Sequence, residues 1–310
     1  MVMKGLIIKM EYNIVTDGSC DLPPELCKEK NITVVPFYVS FDGENYEKEI
    51  VEMPIRKFYE QMVADSKTFP KSSMPSVQDY ADAFEPIVKE GKAIICICIT
   101  TKFSGSMQSA LNAKQIILES YPDAEITVID ATVNTVLQGL YVLEAVKMRD
   151  AGIGYKETIE ELEKIKSTGR IFFTIGSIDY LKHGGRIGKL TGLAGSMLGI
   201  KPLITLKEGE IFPSGITRSR KKSLEKVYEM LLQYLNELKA NCNDYSLTVG
   251  FGYDKEEALA FRDGAVEFLN KNGYPVTKEQ LPIHQIGATI GVHTGPYPIG
   301  FGIIKKADLK

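Results

Sequence analysis

Histidine is scarce in this chain of 310 residues: there are three. They form no cluster with Cys, Asp or Glu at metal-ligand spacing, so no metal centre is expected. Cysteine gives no framework either, since the five are odd in number and lack zinc-type pairs. Cys96 and Cys98 stand two apart in the apolar run 93–99, which puts them on one face of a strand as small core residues. Cys20, Cys27 and Cys242 fit no metal pattern, and the usage as a whole suits a reducing cytoplasm. No apolar run approaches the roughly 20 residues of a membrane-spanning helix. The N-terminal segment is interrupted by Lys4 and Lys9 and has no signal-peptide core, so the fold is expected to begin near Tyr12. Excess positive charge is also missing: the net charge is −3 and the pI about 5.8, which argues against general nucleic-acid binding.

Nucleotide and hydrolase motifs fail on inspection. Gly188-Lys189 resembles the end of a P-loop, but Leu190 stands where a hydroxyl must hold magnesium and His183 where the first glycine belongs. Gly250-Phe-Gly252 follows a strand pattern, but Lys255 occupies the position of the third dinucleotide-binding glycine. Ser104, His293 and Asp17 could be drawn as a hydrolytic triad, yet no Gly-x-Ser-x-Gly elbow surrounds Ser104.

An apolar fraction of 44% and a charged fraction of 25% describe an ordinary globular protein, long enough for two domains. Short apolar strands at 12–16, 32–39, 93–99 and 126–130 alternate with helical patterns at 77–89, 106–120, 134–149 and 155–167. This alternation predicts a parallel sheet flanked by helices, taken as an N-terminal domain over 12–167. Pro36 marks the second strand as an edge. From 168 to 306 the pattern changes: a hairpin turned at 207–210, helices over 217–240 and 255–270, and strands at 171–174, 247–253, 283–286 and 300–305 predict a mixed or antiparallel α/β domain. The glycine-rich apolar run 190–200 reads as close packing, with a mobile cover over an apolar tunnel or a membrane-touching surface as the alternative.

Three places could hold a ligand. The run 287–300 reads as a buried strand over 288–292 that delivers His293 and Thr294 to a sharp Gly295-Pro296 turn. The loop 68–76 is dense in hydroxyls. Ser76 is explained as a helix N-cap with Asp79 closing a capping box, but Ser72 and Ser73 are not. After the strand at 93–99, Ser104-Gly105-Ser106 forms a hydroxyl-and-glycine turn into a helix, the way α/β proteins present anion sites, with a simple N-cap as the bland reading. Asp17, Ser19 and Asp21 read as a loop held by local Asx-type bonds, with Asp21 a possible N-cap. The basic run 218–222 opens a helix, where cations oppose the dipole, and Arg218 is the member expected to contact an anion, a partner or anionic lipid.

Taken together, the motifs resemble the DegV family of bacterial lipid-binding proteins, over nearly the whole chain. The matching pieces are Thr16 to Leu22, Ser72 to Ser76, Ser104 to Ala110, Tyr180 to Ile187, Ile200 to Pro202, Thr217 to Arg220 and His293 to Pro296. The resemblance implies two α/β domains with one long-chain fatty acid between them. Its carboxylate would meet Ser72, Ser104 and His293, with Arg218 or Arg220 nearby and Ser73, Gly105, Thr294 and Gly295 supporting the loops. It further implies a non-catalytic role with no cofactor beyond the bound lipid. Some family members present the fatty acid to a separate ATP-dependent fatty acid kinase subunit. The alternatives are a Ser/His hydrolase or acyltransferase, and a lipid-sensing regulator. Met74 stands where the family carries an amide, and Tyr297, in place of a glycine, is expected to narrow the pocket mouth. Burying roughly 14 methylenes at about 0.8 kcal/mol each would dominate affinity. Hydroxyls and a histidine of ordinary pKa, about 6.5, would set orientation.

Overall fold

The computed structural model describes residues 10–193 and 199–309. The first half runs β1 (Tyr12–Asp17), α1 (Pro24–Glu29), β2 (Ile32–Val35), β3 (Tyr38–Ser40), β4 (Glu47–Lys48), α2 (Ile55–Ala64), β5 (Lys71–Ser73), α3 (Val77–Lys89), β6 (Ala93–Cys98), α4 (Ser106–Ser120), β7 (Ile126–Asp130), α5 (Thr135–Asp150) and α6 (Tyr155–Lys166). The second runs β8 (Arg170–Thr174), α7 (Asp179–His183), β9 (Lys201–Lys207), β10 (Glu210–Thr217), α8 (Arg220–Leu238), β11 (Tyr245–Phe251), α9 (Lys255–Lys271), β12 (Ile283–Gln285), α10 (Ala288–Thr294) and β13 (Ile299–Lys305).

Strand β6 shows why the first sheet forms. All six of its residues are buried. Ile94, Cys96 and Cys98 face the cluster built with α3 and α4, whereas Ala93, Ile95 and Ile97 face the cluster built with α5 and α6. A strand covered by helices on both sides loses the alternation of a half-exposed strand and becomes uniformly apolar. The sheet order is β2-β1-β6-β7, every pairing parallel. The second sheet, β10-β9-β8-β13-β11-β12, is antiparallel except for the β11/β12 pair. Helices α8 and α9 cover its outer face through Val227, Leu231, Leu235, Phe261 and Leu269. Helix α5 is buried almost all round because it lies between the two sheets, packing on β1 on one side and on β11 and β13 on the other. The expected two-domain α/β fold, parallel sheet first and mixed sheet second, is the one observed. The two cysteines of β6 sit on one core face with their sulfurs 3.7 Å apart.

Four local expectations are corrected. The strand predicted over 32–39 breaks at Pro36, which lacks the N–H needed to continue the ladder. Its second part becomes β3 in a small antiparallel sheet ordered β4-β3-β5, so the hydroxyl-rich loop carries a short strand. Residues 288–292 are helical, not extended. A short run of Ala, Thr, Ile, Gly and Val is buried all round in either state, so periodicity could not separate them. Here the run packs between α2, β3 and α7, with Ala288 and Val292 against Phe58, Tyr59 and Met62. Finally, Asp17 keeps a bond to the Ser19 backbone within its loop, as expected, but it and Asp21 also bond across the fold, Asp17 to Ile99, Ser106 and Gln138 and Asp21 to Thr135. The α3 capping box is present as expected: Ser76 Oγ accepts the Asp79 N–H at 3.1 Å, and the Asp79 carboxylate accepts the Ser76 N–H at 2.8 Å. Of the run 190–200, residues 194–198 lie outside the described residues.

Candidate functional site

A cavity of about 270 Å³ lies between the two lobes. The first lobe contributes Phe37, Ser72, Ser73, Met74, Ile99 and the 103–105 turn. The second contributes Ile171, Phe173, Leu181, Arg186, Leu206, Ile211 and Gly250, together with residues of β12, α10 and β13. Most of the wall is apolar. Its polar side chains include Ser72, Ser73, Ser104, His293, Thr294 and Arg186.

Ser72 sits on β5 opposite Val39 of β3, which directs it toward α10. Its hydroxyl lies 3.1 Å from His293 Nε2, and either group can donate according to the tautomer. The two residues are 221 positions apart in the chain. His293 closes α10, whose first turn is held from the other lobe: the buried Glu49 carboxylate accepts the Thr289 N–H at 3.0 Å. The second ring nitrogen, Nδ1, is buried without a hydrogen-bond partner. It lies so close to Gly184 that any side chain there would overlap it. Burial, helped by the nearby Arg186 cation, lowers the His293 pKa to about 4, so the ring is neutral at pH 7. The ordinary value expected from the sequence is therefore corrected. Ser104 Oγ accepts the Ser106 N–H at 3.2 Å, which leaves its own O–H available to a ligand.

Beneath this end lies a buried polar layer. Asp17 accepts from the Ile99 N–H at 2.9 Å, Ser106 Oγ at 2.8 Å and Gln138 Nε2 at 2.8 Å, and burial raises its pKa to about 6. Asp21 accepts from Thr135 Oγ at 2.5 Å, and burial pushes its carboxyl well above the usual range. Thr135 lines the cavity with φ of 49°, an unfavourable region for a β-branched residue, and this bond to Asp21 helps hold it there.

Of the residues named from sequence, Ser72, Ser73, Ser104, Gly105, His293 and Thr294 line this one cavity. Three residues named there do not. Arg218 is exposed beside β10, the edge strand of the second sheet, and is not part of the wall. Arg220 is drawn to Glu257 of α9, with Nε–Oε1 at 2.8 Å and Nη2–Oε2 at 2.5 Å. Gly295 supports the wall from behind, with φ of 75° and a missing side chain whose Cβ would come within 2.5 Å of the Tyr180 ring. Gly295→Ala is therefore expected to destabilise the protein by about 1–3 kcal/mol, read from the urea midpoint. An unchanged midpoint would show that the turn relaxes freely.

The cation at the cavity is Arg186, which sequence reasoning missed as a site residue. Its Nε donates to the Phe103 carbonyl at 3.0 Å across the lobes, and its Nη1 to the Gly184 carbonyl at 2.7 Å. The signal was the Gly184-Gly185 pair before it: one glycine makes room for His293, and the other adopts φ of 67° to turn the chain. Tyr297 does not line the cavity. Its ring packs by Tyr253, at 6.3 Å between centroids, and beside Gly176. Met74 lies over Gly105, where a Cβ would come within 2.8 Å of its sulfur.

The fold and cavity define a class: a two-lobed α/β protein with a largely apolar chamber between its lobes and a hydroxyl–imidazole cluster in the chamber wall. The model described as "Uncharacterised protein, DegV family" matches residues 11–306, and the chain belongs to the DegV family. Among its relatives is a DegV domain-containing protein of Clostridium perfringens, 31% identical over 287 residues, spanning 92% of this chain and 94% of the relative. The structure is similar to that of a stearic-acid-binding protein from Eubacterium ventriosum, at TM-score 0.90 and 44% identity, covering 95% of this chain and 98% of that one. It is also similar to a fatty-acid-binding DegV protein from Thermus thermophilus, at TM-score 0.81 and 28% identity, covering 96% and 100%. Among the described residues no group of His, Cys, Asp and Glu could hold a metal ion, and no helix is long and apolar enough to cross a membrane.

Proposed function

We propose that this protein binds one long-chain fatty acid. The carboxylate meets Ser72, Ser104 and His293 within reach of the Arg186 cation, and the chain lies along the apolar wall. It then presents the acid group to a separate ATP-dependent kinase subunit in the cytoplasm. The observation that carries this reading is that Ser72, Ser104 and His293, from three distant segments, line one largely apolar chamber, with Ser72 and His293 in hydrogen-bond contact. The similarity to proteins described as binding stearic and other fatty acids supports it. A neutral imidazole and two hydroxyls suit reversible holding of an anion, since none of them must become a nucleophile. The hydrolytic alternative has little to stand on. Asp17 bonds Ile99, Ser106 and Gln138 and not His293, and His293 Nδ1 has no carboxylate to orient it.

Organic extraction of the purified protein followed by mass spectrometry is expected to return about one fatty acid per chain. Ser72→Ala and His293→Gln should each weaken binding by roughly 10- to 100-fold, the share of one hydrogen bond to a charged group. Recovery of no fatty acid, with none bound on addition, would remove the reading. Addition of a fatty acid kinase subunit with ATP tests the presentation step. Acyl phosphate is expected, and its absence with lipid still bound would favour a sensing role.

A further inference from the structure

Resting on the reading of the cavity as a fatty-acid site, we infer that the missing side chain at Gly250 sets how long an acyl chain the cavity accepts. Gly250 of β11 stands opposite Gly300 of β13, and both line the cavity. Opposed residues of an antiparallel pair project to the same face, so two neighbouring positions of this wall carry no side chain.

The two glycines have different causes. A Cβ at Gly300 would overlap the Phe172 main-chain oxygen, so the close approach of β8 and β13 itself demands glycine there. Gly250 meets no such backbone. The nearest atoms to a Cβ at 250 are side-chain methyls, Val136 Cγ2 at 3.0 Å and Ile286 Cδ1 at 3.4 Å, and both residues line the cavity. Its φ lies outside the left-handed region, so the backbone would accept any residue. A glycine inside a strand weakens it and calls for a reason, and here the reason is room for a ligand. The atoms nearest a Cβ at 250 are all aliphatic, so this part of the wall suits the chain and not the acid group.

A side chain at 250 would press on Val136 and Ile286, intrude on the cavity they line and exclude methylenes, each worth about fourfold in affinity. The test uses the full chain stripped of lipid and titrated with dodecanoate and octadecanoate. Gly250→Leu is expected to weaken octadecanoate by about 50-fold or more while leaving dodecanoate within about threefold. Val136→Ala in that background should restore part of the loss by returning space. Gly250→Ala serves if the leucine variant does not fold, and should weaken octadecanoate alone by about fourfold. An unchanged ratio of the two affinities in every folded variant would overturn this inference and leave the fatty-acid reading standing. Failure of the unaltered protein to bind either acid would sink both.

Discussion

Asp17→Ala is expected to lower folding stability by about 3–5 kcal/mol, the largest loss from any single polar substitution described here. The carboxylate is fully buried and takes hydrogen bonds from the Ile99 N–H, the Ser106 hydroxyl and the Gln138 amide. Alanine would strand all three donors away from water and leave a gap between β1, β6 and α5. Asp17→Asn separates the two contributions. Its carbonyl can keep Ile99 and Ser106, and its amide can face Gln138 once that side chain turns, because Gln138 Oε1 is buried without a partner. The asparagine variant should therefore stay within about 1 kcal/mol of the parent. Urea unfolding at pH 7 reads both. An alanine variant as stable as the asparagine one would mean that water reaches the network and that the buried bonds hold little.

His293→Gln is expected to change how stability depends on pH. In the folded chain the imidazole has a pKa near 4 against an ordinary 6.5. Above pH 6.5 it is neutral in both states and contributes no pH dependence. Between 6.5 and 4 the unfolded chain takes up a proton that the folded chain refuses, so His293 removes about 3 kcal/mol of stability across that window. Asp17 runs the other way. With its pKa raised from 3.8 to about 6, the folded chain holds a proton that the unfolded chain has shed between those values, so stability falls as pH rises through the window. Asp21 and Glu49, raised by burial, add to the same direction. The parent should show a shallow profile from opposing terms. Without His293, the gain on acidification from pH 6.5 to 4.5 should steepen by about 1.4 kcal/mol per pH unit. Parallel profiles for parent and variant in urea unfolding would show that the ring titrates normally.

These effects arise where the sequence was least legible. Strands β1, β6 and β7 and helices α3 to α6 could be read because their burial is set locally: a strand covered on both faces is apolar throughout, and Ser76 and Asp79 announce a helix start in four residues. The hairpin of β9 and β10 was equally plain from its Lys207-to-Glu210 turn. Helix α10 was misread because a short buried run carries no period. Its state is fixed by Glu49 holding its first turn and by Phe58 and Tyr59 along its side, all more than 200 residues earlier in the chain. Arg218 was named and Arg186 passed over for a similar reason. A basic residue at a helix start stands out in sequence, whereas Arg186 matters because two glycines fold it back beside His293.

The amino-acid order alone determined the layering, since the apolar pattern of each strand and helix states which faces must be covered. It also singled out Ser72, a hydroxyl that local capping did not consume, and His293 at a sharp turn, and the family resemblance joined Ser104 to them. Only the tertiary structure decided that Ser72 and His293 touch, that the imidazole is neutral, that Arg186 is the neighbouring cation and that Gly250 stands in the cavity wall. Each of these depends on how closely segments distant in the chain approach one another, and distance across a fold is not a property any local stretch of sequence contains.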